Sequence, residues 1–505
     1  MRRRCARPHA GAMADTTPTP GPADYVIVGA GSAGSVLARR LSDDPTTSVL
    51  LIEAGVDERP EAISDPGRWA SLIGSGYDWG FHTDPQTGLG GRALAYPRGK
   101  VIGGSSSING VVHIRGLRSD FDAWAADGAT RWSYDDLLPF MDRSERVGQS
   151  DDDDDGGVRV SRPFPLSPIA GAVEAALQAD DRVSDVTMHT MTIRGSERSS
   201  AADGYLTPKV RARDNLRIMS SATVTELVLE DGVCVGVAVT TASGQQTTVR
   251  ATREVVLCAG AIGSPHLLMV SGIGPAEQLE PFGIPVCVDA PEVGSGLQDH
   301  ARGGVTYAVR SSVDFVGEGL SGLLWIAGMP VQLLFTGVPQ HPAEMHGPER
   351  GFTMTVSPMH PTSRGSVRLA GPTIHTPPRI DPALLETPAD LDVMTEGIRV
   401  VRELVAGAPL GQWDVVEALP GADVRDPGQL AAYARDVTQT YYHAVGTCRL
   451  GQDARSVVDQ ELRVRGVERL RIVDASVMPT LVSANPNPAV YAIAEYAASI
   501  ITGGA

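Results

Sequence analysis

The stretch "DYVIVGAGSAGSVLARRL", residues 24–41, decides the fold. It opens with a short apolar run rich in β-branched residues and closes with the apolar spacing of a helix. Gly29, Gly31 and Gly34 lie between these two parts in the pattern G-x-G-x-x-G. In a strand–turn–helix unit, these glycines permit a tight turn, close approach of a pyrophosphate and close packing of the helix on the strand. The stretch therefore predicts a dinucleotide-binding unit.

The residues around this turn extend the prediction. We expect Ser32 and Ala33, within the glycine turn, to contact the cofactor, and the helix predicted for "SVLARRL" to face the phosphates with its N-terminal amides. A second predicted strand, "SVLLIEAG", carries Glu53 at its end, about 20 residues after the last glycine, where an acid can bind a ribose. The motif alone does not distinguish NAD from FAD.

Composition excludes several classes of partner. The 505-residue chain is 42% hydrophobic and has a net charge of −17, so we expect neither nucleic acid nor an anionic membrane as a partner. No window of 18 residues is uninterruptedly apolar, which predicts no integral membrane segment. The five cysteines are odd in number and match no metal-site spacing, which favours a reduced cytoplasmic protein without a metal.

The N-terminal residues are predicted to form a tail outside the folded domains. Its basic head, "MRRRCARPHAGAM", lacks the apolar segment of a signal peptide. Residues 1–22 are rich in Pro, Thr and Gly, and we expect them to be disordered. The sequence leaves open whether translation begins at Met1 or Met13.

A second glycine-rich segment, "YPRGKVIGGSSSINGVVHIRG" at residues 96–116, predicts a loop that enters a short helix and contacts phosphate or an aromatic ring. It resembles the first signature of the GMC (glucose–methanol–choline) oxidoreductases, a family of FAD enzymes. "GAIGSPHLLMVSGIG", residues 260–274, resembles the second signature of that family. The first signature is matched at Gly99, Lys100, Ile102, Gly103, Gly104, Ser105, Ser106, Ile108, Asn109, Gly116 and Asp122.

The resemblance implies a cofactor site for FAD. Some members of the family carry a histidine bonded to the flavin where this chain has Asn109, so we expect non-covalent FAD. The resemblance places Val224 near the adenine, Asp474 and Ala475 at the flavin side chain, and the backbone near Asn485 and Pro486 at the flavin ring. The glycine-rich segment would contribute further contacts from Val101, Gly104, Ser105, Asn109, Gly110, Val111 and Val112.

The implied fold is α/β (α+β), with a Rossmann-like FAD-binding domain interleaved with a substrate-binding domain built on an antiparallel sheet with helices. We expect residues 23–160, 200–300 and 440–505 to form the first domain, and residues 161–199 and 301–439 the second. Alternating residues in "FTMTVSPMHPTSRGSVRLAG" predict strands of the antiparallel sheet. The apolar stripe "GLLWIAGMPVQLLF", residues 322–335, has helical spacing and predicts a helix in the core or a channel wall.

Two C-terminal stretches would complete the active site. In the family, the histidine of "HAVGTC" and a second His or Asn in the loop "SANPNP" face the flavin, which implies His443 with Asn485, or with Asn487 as the alternative. An imidazole that is neutral near pH 7 suits the removal of an alcohol proton. We expect the two prolines to keep "SANPNP" out of the amphipathic helix that follows both asparagines. His300, His360 and His375 lack a comparable partner, which predicts a role in structure or channel lining.

These features predict an FAD-dependent oxidoreductase acting on CH–OH donors, with hydride transfer to flavin N5 and His443 as the base. The electrons would pass to a quinone or other carrier, or to oxygen. A hydroxynitrile lyase of the same family and an NAD-dependent dehydrogenase are the alternatives. Choline would favour a carboxylate and an aromatic cage, which the sequence does not reveal, so a non-choline primary alcohol is the favoured substrate. The particular alcohol and the oligomeric state stay open.

Overall fold

A computed structural model describes residues 21–147, 155–162, 165–311 and 320–504. Residues 1–20 of the predicted tail lie outside this part of the chain. No helix within the described ranges is long and apolar enough to cross a membrane.

Two seven-stranded sheets organise the part of the chain that the structure describes. Their strands, in chain order, are β1 (Ala23–Val28), β2 (Val49–Ile52), β3 (Val183–Met188), β4 (Leu216–Met219), β5 (Ala222–Glu230), β6 (Val233–Thr241), β7 (Gln246–Leu257), β8 (Ala301–Val309), β9 (Leu320–Ile326), β10 (Met329–Thr336), β11 (Gly351–Pro358), β12 (Val415–Leu419), β13 (Gln439–Thr440) and β14 (Leu470–Ile472).

Within the described ranges, shorter strands form five small sheets. Four are pairs, and the fifth has three strands. The pairs are Val112–His113 with Thr190–Met191, Glu145–Val147 with Val158–Val160, Ile193–Arg194 with Glu197–Arg198, and Ile273–Gly274 with Val288–Asp289; the triple is Ser295–Leu297, Gly365–Arg368 and Arg379–Asp381.

Helices cover the sheets and connect them. The α-helices are α1 (Ser32–Leu41), α2 (Glu61–Ser64), α3 (Arg118–Ala126), α4 (Tyr134–Ser144), α5 (Pro168–Gln178), α6 (Ala201–Tyr205), α7 (Pro208–Arg211), α8 (Gly260–Val270), α9 (Ala276–Leu279), α10 (Pro388–Gly407), α11 (Pro427–Val437) and α12 (Pro486–Thr502). The 3-10 helices are Pro66–Leu72, Thr87–Leu89, Gly104–Ser107, Glu280–Phe282, Gly411–Trp413 and Ala475–Val477.

The first sheet has the order β4-β2-β1-β7-β6-β5, and β14 pairs with β7. Strands β4, β2, β1, β7 and β14 run parallel, whereas β5, β6 and β7 form an antiparallel meander. All of β2 and most of β1 are buried, as expected of parallel strands covered on both faces. The carboxyl ends of β1 and β2 therefore open together at the first glycine turn and Glu53, where open α/β sheets bind ligands.

The second sheet is antiparallel throughout, in the order β12-β8-β11-β10-β9-β3, with β13 paired to β8. It packs on α5, α10 and α11 around its own apolar core. This agrees with the predicted α/β (α+β) class: a Rossmann-like sheet and a separate antiparallel sheet with helices. The exact domain boundaries stay a prediction.

The expected helix over residues 322–335 is wrong. Those residues form the β9–β10 hairpin, which turns at Ala327 and Gly328 with φ of 51° and 80°. Two consecutive positive φ angles are the signature of a tight hairpin turn. Pairing of the hairpin with β3 and β11 overrides the helical spacing of its apolar residues. The expected position in a channel wall is consistent with Leu334 and Phe335, which line the large cavity described below.

The start of the last helix also differs from the expectation. Helix α12 begins at Pro486, with Asn485 as its N-cap, so Asn487 lies in the first turn. The backbone N–H groups in the first turn of a helix have no hydrogen-bond partner within the helix. Proline, which lacks an N–H group, is therefore tolerated at Pro486 and Pro488. The helix is not amphipathic either, because every residue from Pro488 to Ala498 is buried.

Close packing at Gly34 gives a test of the first glycine turn. A Cβ atom at Gly34 would lie 1.9 Å from the carbonyl oxygen of Gly29. We therefore expect Gly34→Ala to lower the free energy of unfolding by about 1–3 kcal/mol or more, since the helix must move off the strand. Urea unfolding measures the change.

Gly171 is the matched control. It lies within α5, and nothing is within 4 Å of an added Cβ atom. Gly171→Ala should raise stability by about 0.5–1 kcal/mol, because alanine has the higher helix propensity. Equal effects of the two substitutions would contradict the packing role of Gly34.

Candidate active site

One cavity of about 1070 Å³ runs from the first glycine turn to the C-terminal histidine. Its wall includes every sequence-predicted site residue except Gly34 and Val101. Gly34 instead packs α1 against the turn, as its predicted role requires. Val101 is fully buried in a small apolar core with Ile63, Leu72 and Ile108, so its side chain does not reach the cavity.

Two glycine turns meet at one end of the cavity. Gly29 has a φ of 100°, and α1 begins directly after Gly31. The N–H of Gly103 donates to the carbonyl oxygen of Ala30 at 2.8 Å. A Cβ atom at Gly104, whose φ is 55°, would lie 2.7 Å from the Cα of Gly31. The contact of the two turns therefore depends on glycine, and Ser32, Ala33 and Ser105 line the cavity beside it.

Glu53 lies at the end of β2 in the same region. Its carboxylate accepts hydrogen bonds from the N–H groups of Ala30 and Gly55, both at 2.8 Å. Burial raises the pKa of Glu53 to about 7, against the opposing effect of these two amides. Each carboxylate oxygen keeps a lone pair beyond its amide contact, which is what recognition of ribose hydroxyls requires.

The segment Asn109–Val112 borders the cavity in a constrained conformation. Arg198, which is 1% exposed, donates to the carbonyl and side-chain oxygens of Asn109, both at 2.7 Å. The Asn109 side-chain oxygen also accepts from the N–H of Val111 at 3.0 Å. Val111 has a φ of 57°, which is a strained conformation for a β-branched residue. Such strain clusters at functional sites.

Asp474, Ala475 and Val224 also line the cavity. Asp474 caps the 3-10 helix Ala475–Val477 and accepts hydrogen bonds from the Ser264 hydroxyl at 2.6 Å and the Gly260 N–H at 2.9 Å. It thereby connects the segment that follows β14 to α8. Burial raises its pKa.

His443 lies at the other end of the cavity and is 7% exposed. Its Nδ1 atom is 2.8 Å from Nδ1 of His300, and its Nε2 atom is 3.1 Å from Nδ2 of Asn485. Asn487 instead accepts a hydrogen bond from the Ser32 hydroxyl at 2.6 Å. Asn485 is therefore the asparagine that contacts His443. Its Oδ1 atom is buried at the cavity and has no hydrogen-bond partner in the described part of the chain.

The partners of His300 determine the tautomer of His443. His300 is fully buried, and burial lowers its pKa to about 3, so it is neutral. Its Nε2 atom is 3.0 Å from the carbonyl oxygen of Met359, which can only accept. His300 Nε2 therefore carries the proton, and His300 Nδ1 accepts a hydrogen bond that the Nδ1–H of His443 donates. We assign the lone pair of neutral His443 to Nε2, which accepts from Asn485.

A buried acid orients the backbone around His443. Asp299 accepts the N–H of His443 at 2.7 Å and the hydroxyl of Thr440. Tyr442 between them has a φ of 65°, which is a strained conformation for a bulky side chain. Burial, His300 and the positive charges of Arg98 and Arg302 hold the pKa of His443 well below 6.5. The imidazole is thus an unprotonated base at neutral pH.

The expectation that His300 lacks a comparable partner is wrong, and His360 also has partners. His300 bonds to His443 directly, while His360 Nε2 contacts Asp120 at 2.9 Å and Ser483 at 2.7 Å. Sequence reasoning missed these contacts, together with the role of Asp299. The segment "GLQDH" offered a weak signal, since it places Asp299 and His300 directly before β8. The pairing of Ala301 with Thr440, which brings them to His443, has no local pattern.

Comparisons with known proteins identify the family. The family model of the GMC oxidoreductases matches residues 23–302 with its N-terminal part and residues 361–494 with its C-terminal part. A GMC-type oxidoreductase of Mycobacterium tuberculosis is 37% identical over 95% of this chain and 99% of its own length. The choline oxidase of Arthrobacter globiformis is 37% identical over 95% and 94%.

A solved structure agrees with this match. The crystal structure of pyridoxine 4-oxidase from Mesorbium loti superimposes with a TM-score of 0.85 at 35% identity, over 94% of this chain and 98% of that one. The fold and site thus define an FAD-dependent oxidoreductase that acts on alcohol groups. This chain belongs to the GMC oxidoreductase family. The NAD-dependent alternative is wrong for this family, and the names of these relatives give no support to a lyase.

The residues present fit the FAD that GMC oxidoreductases bind. Glycine permits the close contact of the two turns beside the first backbone amides of α1, a region suited to a pyrophosphate. Glu53 supplies ribose acceptors at the same end. The unpartnered oxygen of Asn485 and the lone pair of His443 face the other end of the cavity.

A pH-dependent measurement tests the burial of the cavity histidines. Burial lowers the pKa of His266 from 6.5 to about 4. Between these values the unfolded chain binds a proton at this position that the folded chain does not, so folded stability falls as pH falls. As the pH falls through this window, we expect the free energy of unfolding of the parent to drop relative to that of His266→Gln by about 1.4 kcal/mol per pH unit. Urea unfolding at several pH values measures it. A constant difference between pH 6.5 and 4.5 would contradict the prediction.

Proposed function

We propose that this protein oxidises a small alcohol to an aldehyde or ketone, with non-covalent FAD as the cofactor and His443 as the base. The observation that carries this proposal is the 2.8 Å contact of His443 Nδ1 with His300 Nδ1, which leaves His443 Nε2 to carry the lone pair at the cavity. Asn109 supports non-covalent attachment, since its amide is held by Arg198 and is no nucleophile. A quinone, another carrier or oxygen would take up the electrons.

His443 and Asn485 divide the work on the alcohol. His443 Nε2 accepts the hydroxyl proton as the C–H bond breaks. Asn485 has a donor and an acceptor that do not titrate, so it can orient the substrate oxygen at any pH. FAD, held at the glycine turns and Glu53, would supply the hydride acceptor for the alcohol carbon. No nucleophile or metal is needed in this scheme.

The surroundings of His443 favour its neutral form. Burial opposes a positive charge on the imidazole most strongly, and the charges of Arg98 and Arg302 oppose it as well. His443 is therefore ready to accept a proton at neutral pH, and it is expected to release that proton before the next turnover. A base of this kind contributes about 10²–10⁴-fold to a rate.

Two further features belong to the proposal. We propose the discontinuous domains given above, with residues 23–160, 200–300 and 440–505 binding FAD and residues 161–199 and 301–439 binding substrate. The separate apolar cores of the two large sheets support this division in outline, although Leu89 and Leu94 pack in the second core and Val367, Leu369 and Ile380 pack in the first. We also propose a cytoplasmic location, supported by Cys234, Cys258 and Cys448, which form no disulfide.

Substitution of the base gives the direct test. We expect His443→Ala to retain FAD and to reduce it about 10²–10⁴-fold more slowly with a primary alcohol, because the proton has lost its acceptor. Anaerobic stopped-flow bleaching of the flavin measures this rate without an electron acceptor.

His375→Gln is the matched control. His375 also lines the cavity but is exposed and lies outside the His443–His300 contact. Its variant should reduce FAD at the rate of the parent. A full rate in His443→Ala, with FAD bound, would overturn the assignment of the base.

A further inference from the structure

Arg302 is a cation in the wall of the cavity close to the proposed base. It is the second residue of β8 and is half-buried. Its guanidinium carbon lies 5.9 Å from the ring centre of Tyr441, whose ring stacks on His443 at 4.5 Å. Its charge is one of those that oppose protonation of His443. An anion bound at Arg302 would therefore lie near the reacting end of the cavity.

The guanidinium is held in place but not neutralised. Nε donates to the carbonyl oxygen of Thr440 at 3.3 Å, and Nη1 donates to the side-chain oxygen of Gln340 at 2.8 Å. Within the described ranges, Arg302 forms no ion pair, and its Nη2 has no hydrogen-bond partner. Both anchors are neutral, so the full positive charge is retained, with Nη2 as a spare donor.

The other charged groups of the cavity wall do not offset this charge. Among the described lining residues, the only carboxylates are Glu53 and Asp474. Glu53 accepts hydrogen bonds from backbone amides at the end of β2, and Asp474 accepts hydrogen bonds from Ser264 and Gly260. Two further cations, Arg98 and Lys100, line the same cavity. Neither lining carboxylate forms an ion pair with Arg302, so its positive charge is retained, although the chain as a whole is acidic.

We propose that Arg302 is a specificity determinant that selects alcohols carrying an anionic group, a carboxylate or a phosphate monoester. The inference rests on the proposed function and names its substrate class. Arg302 binds the anionic group through Nη2 while the hydroxyl lies at His443 and Asn485. An alcohol with a quaternary ammonium group, such as choline, would instead meet a like charge in a partly desolvated site.

A panel of benzylic alcohols of matched shape tests the inference on the holoenzyme. The panel comprises benzyl alcohol, 4-(hydroxymethyl)benzoate, 4-(hydroxymethyl)phenyl phosphate and 4-(hydroxymethyl)phenyl-trimethylammonium. Anaerobic stopped-flow gives the ratio of the limiting reduction rate to Kd for each alcohol. We expect the parent to favour one or both anionic alcohols over benzyl alcohol. Whichever of the two gives the higher ratio shows whether the site prefers a carboxylate or a phosphate monoester.

The variants assign that preference to Arg302. Arg302→Gln should lower the anionic-to-neutral ratio about 10- to 100-fold, because a charge-assisted hydrogen bond is lost. Arg302→Lys should restore part of the ratio, and Arg302→Glu should shift it toward the ammonium alcohol. Arg310→Gln removes an exposed cation at the end of the same strand and should leave the ratio unchanged. FAD content confirms that each variant is folded.

The outcomes separate this inference from the proposed function. Equal efficiencies for neutral and anionic alcohols in the parent, or an unchanged ratio in Arg302→Gln, would overturn the role of Arg302 while leaving alcohol oxidation intact. If no alcohol of this panel or of a broad set of primary alcohols reduced the flavin, alcohol oxidation itself would fail, and the inference with it.

Discussion

The hydrogen bond between His300 and His443 is the interaction on which the site depends. A neutral imidazole has one donor and one acceptor, and its neighbours decide which nitrogen is which. The Met359 carbonyl settles this for His300, and His300 then settles it for His443. The buried carbonyl group of Met359 therefore determines, through His300, that the His443 lone pair faces Asn485 and the cavity.

Both sheets are needed to build this arrangement. The parallel sheet places the two glycine turns and Glu53 at one end of the cavity. The antiparallel sheet carries Arg302 in β8 and places Met359 directly after β11, and its β8–β13 pairing sets His300 beside the turn that ends in His443. Asp299 fixes that turn by accepting the His443 N–H. Neither sheet alone holds both the region suited to a dinucleotide and His443, so the two come together only where the two sheets adjoin.

The sequence predicted the local part of this structure well and the long-range part poorly. Gly29, Gly34 and Glu53 could be placed because strand, turn and helix are encoded within about 30 residues. The resemblance to a family supplied His443 and Asn485. The contact of His300 with His443 could not be predicted, because the two residues lie 143 positions apart and only strand pairing brings them together. The β9–β10 hairpin was mistaken for a helix for a similar reason, since its apolar residues fit either period until neighbouring strands select one.

The position of one hydrogen atom tests the central claim most directly. Neutron diffraction from a crystal of the FAD-bound protein, exchanged into deuterium oxide, locates deuterium on each imidazole. We expect deuterium on His443 Nδ1 and on His300 Nε2, with none on His443 Nε2. Deuterium on His443 Nε2 with a bare Nδ1 would contradict this expectation, because the lone pair would then point away from the cavity.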